Sequence, residues 1–312
     1  MLRPAGILCF ALRIVAGGVL LGSARPVCAF FDDLAPSPQA RALGEAMTAR
    51  AGDPWAFYYN PGALPWIAGP TLELATLRPN GLGFERLTAA AFAAPLPYHA
   101  GCVSLGWRSF GVEYKGASLE TENTLSLAHG IRLLHGPAVS VSLGWTLDLY
   151  EAEFARSAGP SGDGSDGVDP GSAWSAGLGV GGLVSVRDRA RVGVFSGNVN
   201  EPTIGVDNEP IARTVSAGIE CAVLPRLDAA LDLRGRGGQD LRVCGGLQIT
   251  AVEALELRAG FETAPERFTA GFGVRLPVLS LDYGFSTGGD LLDVSHHVGL
   301  GLRFGADAAA TP

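Results

Sequence analysis

The sequence predicts an all-β fold, an antiparallel transmembrane β-barrel of about 14 strands. Three observations predict it. From Thr71 to Phe304, apolar and polar residues alternate at every second position, which is the spacing of a β-strand. Charged residues make up only 17% of the 312 residues, against about 25% in soluble proteins. The long connections between the alternating segments all fall on one side of the predicted barrel, as they do in outer-membrane barrels.

The alternation defines the strands. In one of the clearest segments, one face carries Leu255, Leu257, Ala259 and Phe261, and the other carries Glu256, Arg258, Gly260 and Glu262. The strands are expected near residues 70–78, 84–95, 100–109, 121–134, 137–154, 172–187, 190–197, 210–224, 226–236, 239–250, 253–263, 266–275, 277–287 and 294–304. An even number is the norm for bacterial single-chain barrels.

The connections support this count. With the N-terminus of the barrel in the periplasm, the turns assigned to that side are all short. The long connections then fall outside, namely Gly111–Glu120, Ala155–Gly171, Gly197–Glu209 and Gly288–Asp293. A strand missed early in the chain would scramble this sorting, so the sorting favours 14 strands.

The first 29 residues have the features of a secretory signal. A basic start precedes an apolar stretch that is interrupted by Arg13, and small residues precede a cleavage position after Ala29. The alternative is an uncleaved anchor helix, which Arg13 and the short apolar run disfavour. Cleavage leaves Cys102, Cys221 and Cys244. Cys221 is predicted to face lipid and Cys244 the lumen, so a bridge between these two is not expected.

The mature chain divides into three parts. Residues 30–69 lack the alternation, are rich in proline and carry a short predicted helix near residues 40–50. Residues 70–304 form the predicted barrel, and residues 305–312 form a tail. Lipid offers no partner to backbone amides and carbonyls, so the sheet must close on itself. The predicted location is the bacterial outer membrane, where the chain contacts lipid.

A soluble β-sandwich is the alternative fold, because antiparallel sandwiches alternate too. A sandwich would bury charge at its inward positions, which is costly, whereas a wet lumen tolerates it. The predicted lumen face carries Arg86, Arg108, Arg132, Asp228, Asp232, Glu256, Arg258, Arg275 and Arg303, among other charged residues. These charges form either a polar translocation path or an ion-pair network that ties the wall to the segment before it. Their mixed sign favours the network.

Enzymatic, metal and nucleic-acid functions find little support. His296 and His297 are adjacent on a strand and point to opposite faces, so they are not expected to bind a metal together. The glycines Gly177, Gly179 and Gly181 lie in a strand with no following helix, so no nucleotide cofactor is expected. No Ser/His/Asp constellation emerges, and a net charge of −8 gives no reason to expect nucleic acid. The sequence therefore predicts a non-enzymatic protein without cofactors.

Several motifs resemble the PorV and FadL-like outer-membrane families. Those families carry an ARALG segment, then a YNPAGL turn, later an NI-x-x-P segment and a closing LDYAF and SHRISL. The matching stretches here are Ala40–Gly44, Asp53–Leu64, Asn198–Pro202, Leu281–Phe285 and Ser295–Leu300. The resemblance implies a barrel of 14 strands whose residues 30–69 form a hatch in the lumen. Its turn is Asn60-Pro61-Gly62, and the third position departs from the usual alanine.

The resemblance also implies two functions. FadL-like members transport small hydrophobic or amphipathic molecules, with long-chain fatty acids the implied substrate, and the candidate lining residues here are Trp55, Phe57, Tyr58 and Trp66. PorV-like members are instead non-enzymatic partners of secretion systems. A structural barrel with a closed lumen is a third option.

Phe304 on the last strand fits the aromatic-ended strand that the barrel assembly machinery reads.

Overall fold

The computed structural model describes residue 31 and residues 34–157, 159–160, 165–288 and 294–305. In these residues, fourteen antiparallel strands form a closed barrel, in which the first and last strands pair along their full length. The barrel strands are β1 (Thr71–Arg78), β2 (Glu85–Pro95), β3 (Cys102–Tyr114), β4 (Ala117–His135), β5 (Val139–Phe154), β6 (Ser172–Val186), β7 (Ala190–Gly197), β10 (Thr214–Leu224), β11 (Leu227–Arg236), β12 (Arg242–Val252), β13 (Leu255–Thr263), β14 (Glu266–Arg275), β15 (Leu279–Ser286) and β16 (Ser295–Arg303). A short hairpin, β8 (Thr203–Ile204) with β9 (Glu209–Pro210), lies between β7 and β10. The predicted fold and strand number are confirmed.

One predicted long connection is wrong. Residues 111–120 continue β3 and β4 as a hairpin with a tight turn at Lys115 and Gly116, and a bulge follows Val112. Both turn residues have positive φ, which the turn requires. Strands β3 and β4 are therefore longer than the roughly 9–11 residues that cross a bilayer. Strands β5 and β6 are also longer, and the four strands together extend the wall on one side of the barrel.

The predicted faces follow the alternation on most strands. Outward residues such as Trp107, Trp145 and Trp174 are exposed, as a lipid-facing wall requires. Cys221 is exposed on the outer face and Cys244 is buried on the inner face, as predicted. The wall is therefore apolar outside and polar inside on most strands.

Strand β2 is an exception that the sequence pattern misassigned. Arg86 lies on the outer face, opposite Gly111 and two residues before Thr88. The inner face of β2 is apolar, and its alanines Ala89, Ala91 and Ala93 are buried. These alanines pack against the chain inside the barrel, so the usual assignment of charge to the lumen reverses on this strand.

The residues before β1 lie inside the barrel. This N-terminal segment, residues 34–67, contains helix α1 (Pro38–Ala42), helix α2 (Ala56–Tyr59) and a 3₁₀ stretch at Pro61–Trp66. The helix predicted near residues 40–50 ends at Ala42, because Gly44 and Glu45 adopt positive φ. Most side chains of the N-terminal segment are buried, and those of Trp55, Leu64 and Ala63 are completely buried.

Glycines on the inner wall make room for the N-terminal segment. A Cβ added to Gly130 or Gly144 would lie closer than 3.0 Å to the Pro61 carbonyl. The same is true of Gly193 beside Thr48 and of other inward glycines, Gly246, Gly260, Gly271 and Gly284, beside residues 38–44. The inward glycines at every second strand position therefore allow the backbone of the N-terminal segment to lie close to the wall.

Within the described residues, no helix is long and apolar enough to cross a membrane. The predicted signal at residues 1–29 and nearly all of the tail at residues 305–312 lie outside the described ranges.

Candidate functional site

The Asn60-Pro61-Gly62 turn joins the N-terminal segment to the wall. The Asn60 side chain accepts a hydrogen bond from the Gly62 amide at 3.0 Å. Its Nδ2 donates to the carbonyls of Thr48, at 2.7 Å, and of Gly182, at 3.0 Å. The Gly62 carbonyl in turn accepts from Ser142 Oγ at 2.5 Å. Glycine at position 62 fits because a Cβ there would lie 2.8 Å from Gly182 Cα, so the wall approaches too closely for alanine.

A buried ion-pair cluster ties helix α1 to β11 and β13. Arg41 pairs with Glu45 at 2.5 Å and with Glu262 at 2.6 Å, and Arg234 pairs with Glu45 at 2.7 Å. All four side chains are at most 4% exposed. Truncating one partner of such a cluster leaves an uncompensated buried charge, which costs several kcal/mol. The cluster therefore fixes the N-terminal segment in one position.

Several of the predicted lumen charges form a second cluster. Arg258 donates to Asp282 at 2.7 Å and also pairs with Glu256. Arg275 donates to both Asp282 oxygens, at 2.6 and 2.7 Å. Both arginines also reach Gln39 of the N-terminal segment. The arrangement is a network of both signs that joins wall to segment.

The other predicted lumen charges differ in position. Asp232 accepts a hydrogen bond from the Thr48 amide at 2.7 Å. Asp228 lies on the inner face and is half-buried. Arg303 is on the inner face by alternation but is exposed at the end of β16. Arg303 therefore lies at the rim and outside the networks.

Two arginines stack on aromatic side chains of the N-terminal segment. The guanidinium of Arg108 lies 4.6 Å from the centre of the Tyr58 ring, and that of Arg132 lies 4.7 Å from the Trp66 ring. Trp55 is fully buried, and its indole donates to Glu73 at 2.7 Å. The four predicted lining residues therefore fall into two groups. Trp55 and Trp66 pack against the wall, whereas Phe57 and Tyr58 line a cavity.

This inner cavity lies between the N-terminal segment and the loop after β7. Its volume is about 70 Å³. Its apolar lining is mostly aromatic and its polar lining includes three arginines; the residues are Phe31, Phe57, Tyr58, Arg108, Asp148, Tyr150, Phe195, Gly197, Asn198, Ile211, Ala212, Thr214, Ser216, Arg234 and Arg236. An apolar cavity with a few convergent polar groups is the usual form of a small-molecule site.

The loop at residues 198–213 closes one end of the cavity. Tyr150 donates to the Asn198 side chain at 2.9 Å, and Asn198 donates to the Ala212 carbonyl at 3.1 Å. Ile204 and Ile211 are buried against Tyr150 and Ala152. The loop therefore folds inward and packs on the wall.

The charged lining of the cavity consists of Asp148 and three arginines. Asp148 accepts from Ser126 at 2.5 Å and lies in the field of Arg108. Below, in the N-terminal segment, burial raises the pKa of the Asp53 carboxyl, and the hydrogen bond from the Trp55 amide lowers it. Burial also raises the pKa of the Tyr59 hydroxyl.

Sequence reasoning missed most of the residues that build this site. Tyr150 and Phe195 were assigned to strands with no role, Asn198 was singled out only as part of the family resemblance, and Glu45 was not singled out. The inward glycines were visible in the period-2 pattern. A run of glycines on a lumen face signals close backbone approach, and that signal could have indicated a filled lumen.

Several solved structures share this fold. The toluene transporter TbuX of Ralstonia pickettii aligns with a TM-score of 0.58 at 13% identity, covering 86% of this chain and 98% of that chain. The CymD monoaromatic hydrocarbon channel aligns with 0.60 at 11%, covering 88% and 99%. A FadL homologue of Pseudomonas aeruginosa aligns with 0.57 at 11%, covering 91% and 100%.

At these identities the likeness is one of fold, and at that level the resemblance to FadL-like barrels is confirmed. No protein-family model matches the sequence, and no curated protein is significantly similar to it.

Proposed function

We propose that this protein is a bacterial outer-membrane barrel that passes small hydrophobic or amphipathic molecules across the membrane. The observation that carries the proposal is the inner cavity, where Phe57 and Tyr58 of the N-terminal segment meet Tyr150 and Phe195 of the wall. The fold is shared with a toluene transporter and a monoaromatic hydrocarbon channel. The N-terminal segment would act as the hatch that a molecule passes.

The size of the cavity favours small molecules over long chains. At about 30 Å³ per water in the liquid, a volume of about 70 Å³ holds about two waters. A single aromatic ring is nearer to that scale than a long-chain fatty acid. Passage of either therefore requires the loop at 198–213 or the N-terminal segment to move.

Filling the cavity tests the proposal. Ala212 lines the cavity and is nearly buried, whereas Ala270 faces outward on β14. We expect cells that carry the wild-type protein to take up a labelled monoaromatic hydrocarbon faster than cells without it. Ala212→Trp should lower that uptake at least about tenfold, because the indole occupies the cavity, and Ala270→Trp should leave it unchanged. Labelled oleate in parallel measures the preference for size.

Folded protein is quantified in each strain by the heat-dependent shift of the barrel on a gel. Equal uptake with and without the protein would contradict transport of these molecules.

A second function is favoured by a separate observation. The N-terminal segment fills the barrel, and its fixation by ion pairs and inward glycines suits a barrel that does not conduct. Such a barrel would serve as a partner of secretion or envelope proteins. This second function predicts no solute flux, and it predicts that envelope proteins are recovered with the barrel from native membranes. A solute flux that Ala212→Trp blocks would exclude it as the sole function.

A further inference from the structure

Two arginines and a histidine lie together on the outer face of the barrel. Arg78 pairs with His296 across β1 and β16. Leu77 pairs with Leu87 across β1 and β2, so Arg78 and Arg86 occupy the next opposed positions. All three side chains are exposed and line one groove on the outer wall. We call these three residues the outer basic patch.

The two arginines have no ion-pair partner within the described residues. Neither Arg78 nor Arg86 forms an ion pair or side-chain hydrogen bond there, and no described acidic side chain lines their shared groove. Glu113 lines the neighbouring groove beside Arg86, beyond ion-pair distance. Like charges directly opposite on neighbouring strands repel, so this arrangement is destabilising unless an anion lies between them.

His296 is held in place beside them. Its Nδ1 lies 2.7 Å from the Tyr283 hydroxyl, and its ring is tilted against Tyr283 and Phe285. The patch is therefore bordered by aromatic side chains on one side and by the turn at Pro79–Gly81 on the other. Aromatic residues of this kind mark the membrane–water interface of barrels.

The apolar wall below the patch is short. Outward apolar residues on β16 and beyond it run from Val298 through Leu300 to Phe304. At about 3.3 Å per residue and a tilt of about 40°, this is roughly 15 Å of apolar wall, against an apolar band of about 25 Å in barrels. The patch therefore lies at a height where acyl chains would surround a wall of ordinary height. Local thinning of the bilayer at this short wall brings lipid headgroups to Arg78, Arg86 and His296.

We propose that the outer basic patch binds the phosphate of an anionic lipid headgroup in the outer leaflet. Guanidinium groups recognise phosphate oxygens with paired, charge-assisted hydrogen bonds. The apolar residues below the patch, Leu74, Val298 and Leu300, would contact the acyl chains. The lipid neutralises two opposed arginines and continues the apolar surface where the wall is short. The proposal rests on the membrane location and does not depend on transport.

The test compares lipids that differ in headgroup charge. Native mass spectrometry of the full-length mature protein in detergent micelles, titrated with phosphatidylglycerol or phosphatidylcholine of equal chain length, measures the affinity of the tightest site. We expect the wild type to prefer phosphatidylglycerol at least about tenfold, since each arginine near an anionic headgroup strengthens binding. Arg78→Gln/Arg86→Gln should reduce the preference to less than about twofold.

Matched variants separate this site from general charge. Arg187→Gln/Arg303→Gln removes two exposed arginines at the opposite end of the barrel and should keep the preference. Arg78→Lys/Arg86→Lys retains the charge and should also keep most of it. An unchanged preference in the glutamine double variant, or an equal loss in the Arg187/Arg303 control, would overturn the proposal.

Inorganic phosphate distinguishes a lipid site from a free-anion site. It has the anionic group without acyl chains, so at the same concentration as the lipid it should not displace phosphatidylglycerol. Displacement would show that the patch is a free-anion site and the lipid proposal is wrong.

Discussion

At the scale of single residues, Asn60 shows why one amide matters inside this barrel. It satisfies one backbone amide and two backbone carbonyls in a region closed to solvent. Two of these groups belong to the N-terminal segment, and the Gly182 carbonyl belongs to β6. A buried backbone group without a partner costs about 1–3 kcal/mol, so the contribution of this side chain exceeds that of a surface asparagine.

Asn60→Leu removes all three hydrogen bonds at similar volume. We expect the free energy of unfolding to fall by roughly 2–4 kcal/mol, because the backbone partners stay buried. Asn123→Leu is the matched control, since Asn123 is half-buried on the outer face and its side chain bonds only to Glu151 among the described residues. Its cost should stay below about 1 kcal/mol. Urea unfolding in micelles measures both, and equal losses would mean that Asn60 has no special role.

Arginine–aromatic stacking is a second residue-scale feature. Arg108 on Tyr58 and Arg132 on Trp66 each place a cation of the wall on a ring of the N-terminal segment. Each such contact contributes about 0.5–2 kcal/mol, more where water is excluded. The charges that the sequence assigned to the lumen therefore act on the segment inside it.

At the scale of elements, the fit between wall and N-terminal segment depends on backbone shape. Strands β4, β5 and β6 present glycines where the turn at Asn60–Gly62 approaches. Helix α1 meets β13, β14 and β15 in the same way and is fastened by Arg41 to Glu262. The segment has little regular secondary structure of its own, so the wall determines its conformation.

Gly144→Val should displace the segment without opening the barrel. The added Cβ would overlap the Pro61 carbonyl, and backbone cannot yield as a side chain can. We expect hydrogen–deuterium exchange at residues 34–67 to rise, while exchange in β12 to β14 stays slow. Gly111→Val is the control, because a Cβ there has its nearest neighbour at 3.9 Å. Unchanged exchange in Gly144→Val would show that the segment tolerates loss of the close approach.

At the scale of the whole molecule, the wall is uneven. Strands β3 to β6 have 13 to 19 residues, whereas β1 and β15 have 8 each. The longer strands extend beyond the others at the end of the barrel that carries the long connections. The outer basic patch lies on β1, β2 and β16, where the wall is lower. The membrane therefore meets walls of different height around one barrel, which favours local thinning of the bilayer or tilt of the barrel.

The two ends of the barrel should differ in their access from outside the cell. Long connections lie at one end, and short turns such as Arg187–Arg189 lie at the other. In a background with Cys221→Ser, we expect Asp169→Cys to react with a membrane-impermeant maleimide on intact cells. Asp188→Cys should react only after the outer membrane is permeabilised. The reverse pattern would invert the orientation of the barrel.

The sequence by itself determined the wall. Alternation is a local property of each strand, and loop length is read directly along the chain, so strand number and most inward faces followed from them. The hairpin at residues 111–120 was missed because the bulge after Val112 interrupts the alternation, so apolar residues no longer mark one face there.

Only the tertiary structure decided what lies inside. Arg86 faces outward because the alanines of β2 pack on the N-terminal segment, and no local pattern in β2 reveals that partner. The inner cavity joins Tyr58, Tyr150 and Asn198, which are far apart in sequence. Irregular backbone takes its position from long-range contacts, so its conformation is fixed by the closed wall around it and cannot be read from its own residues.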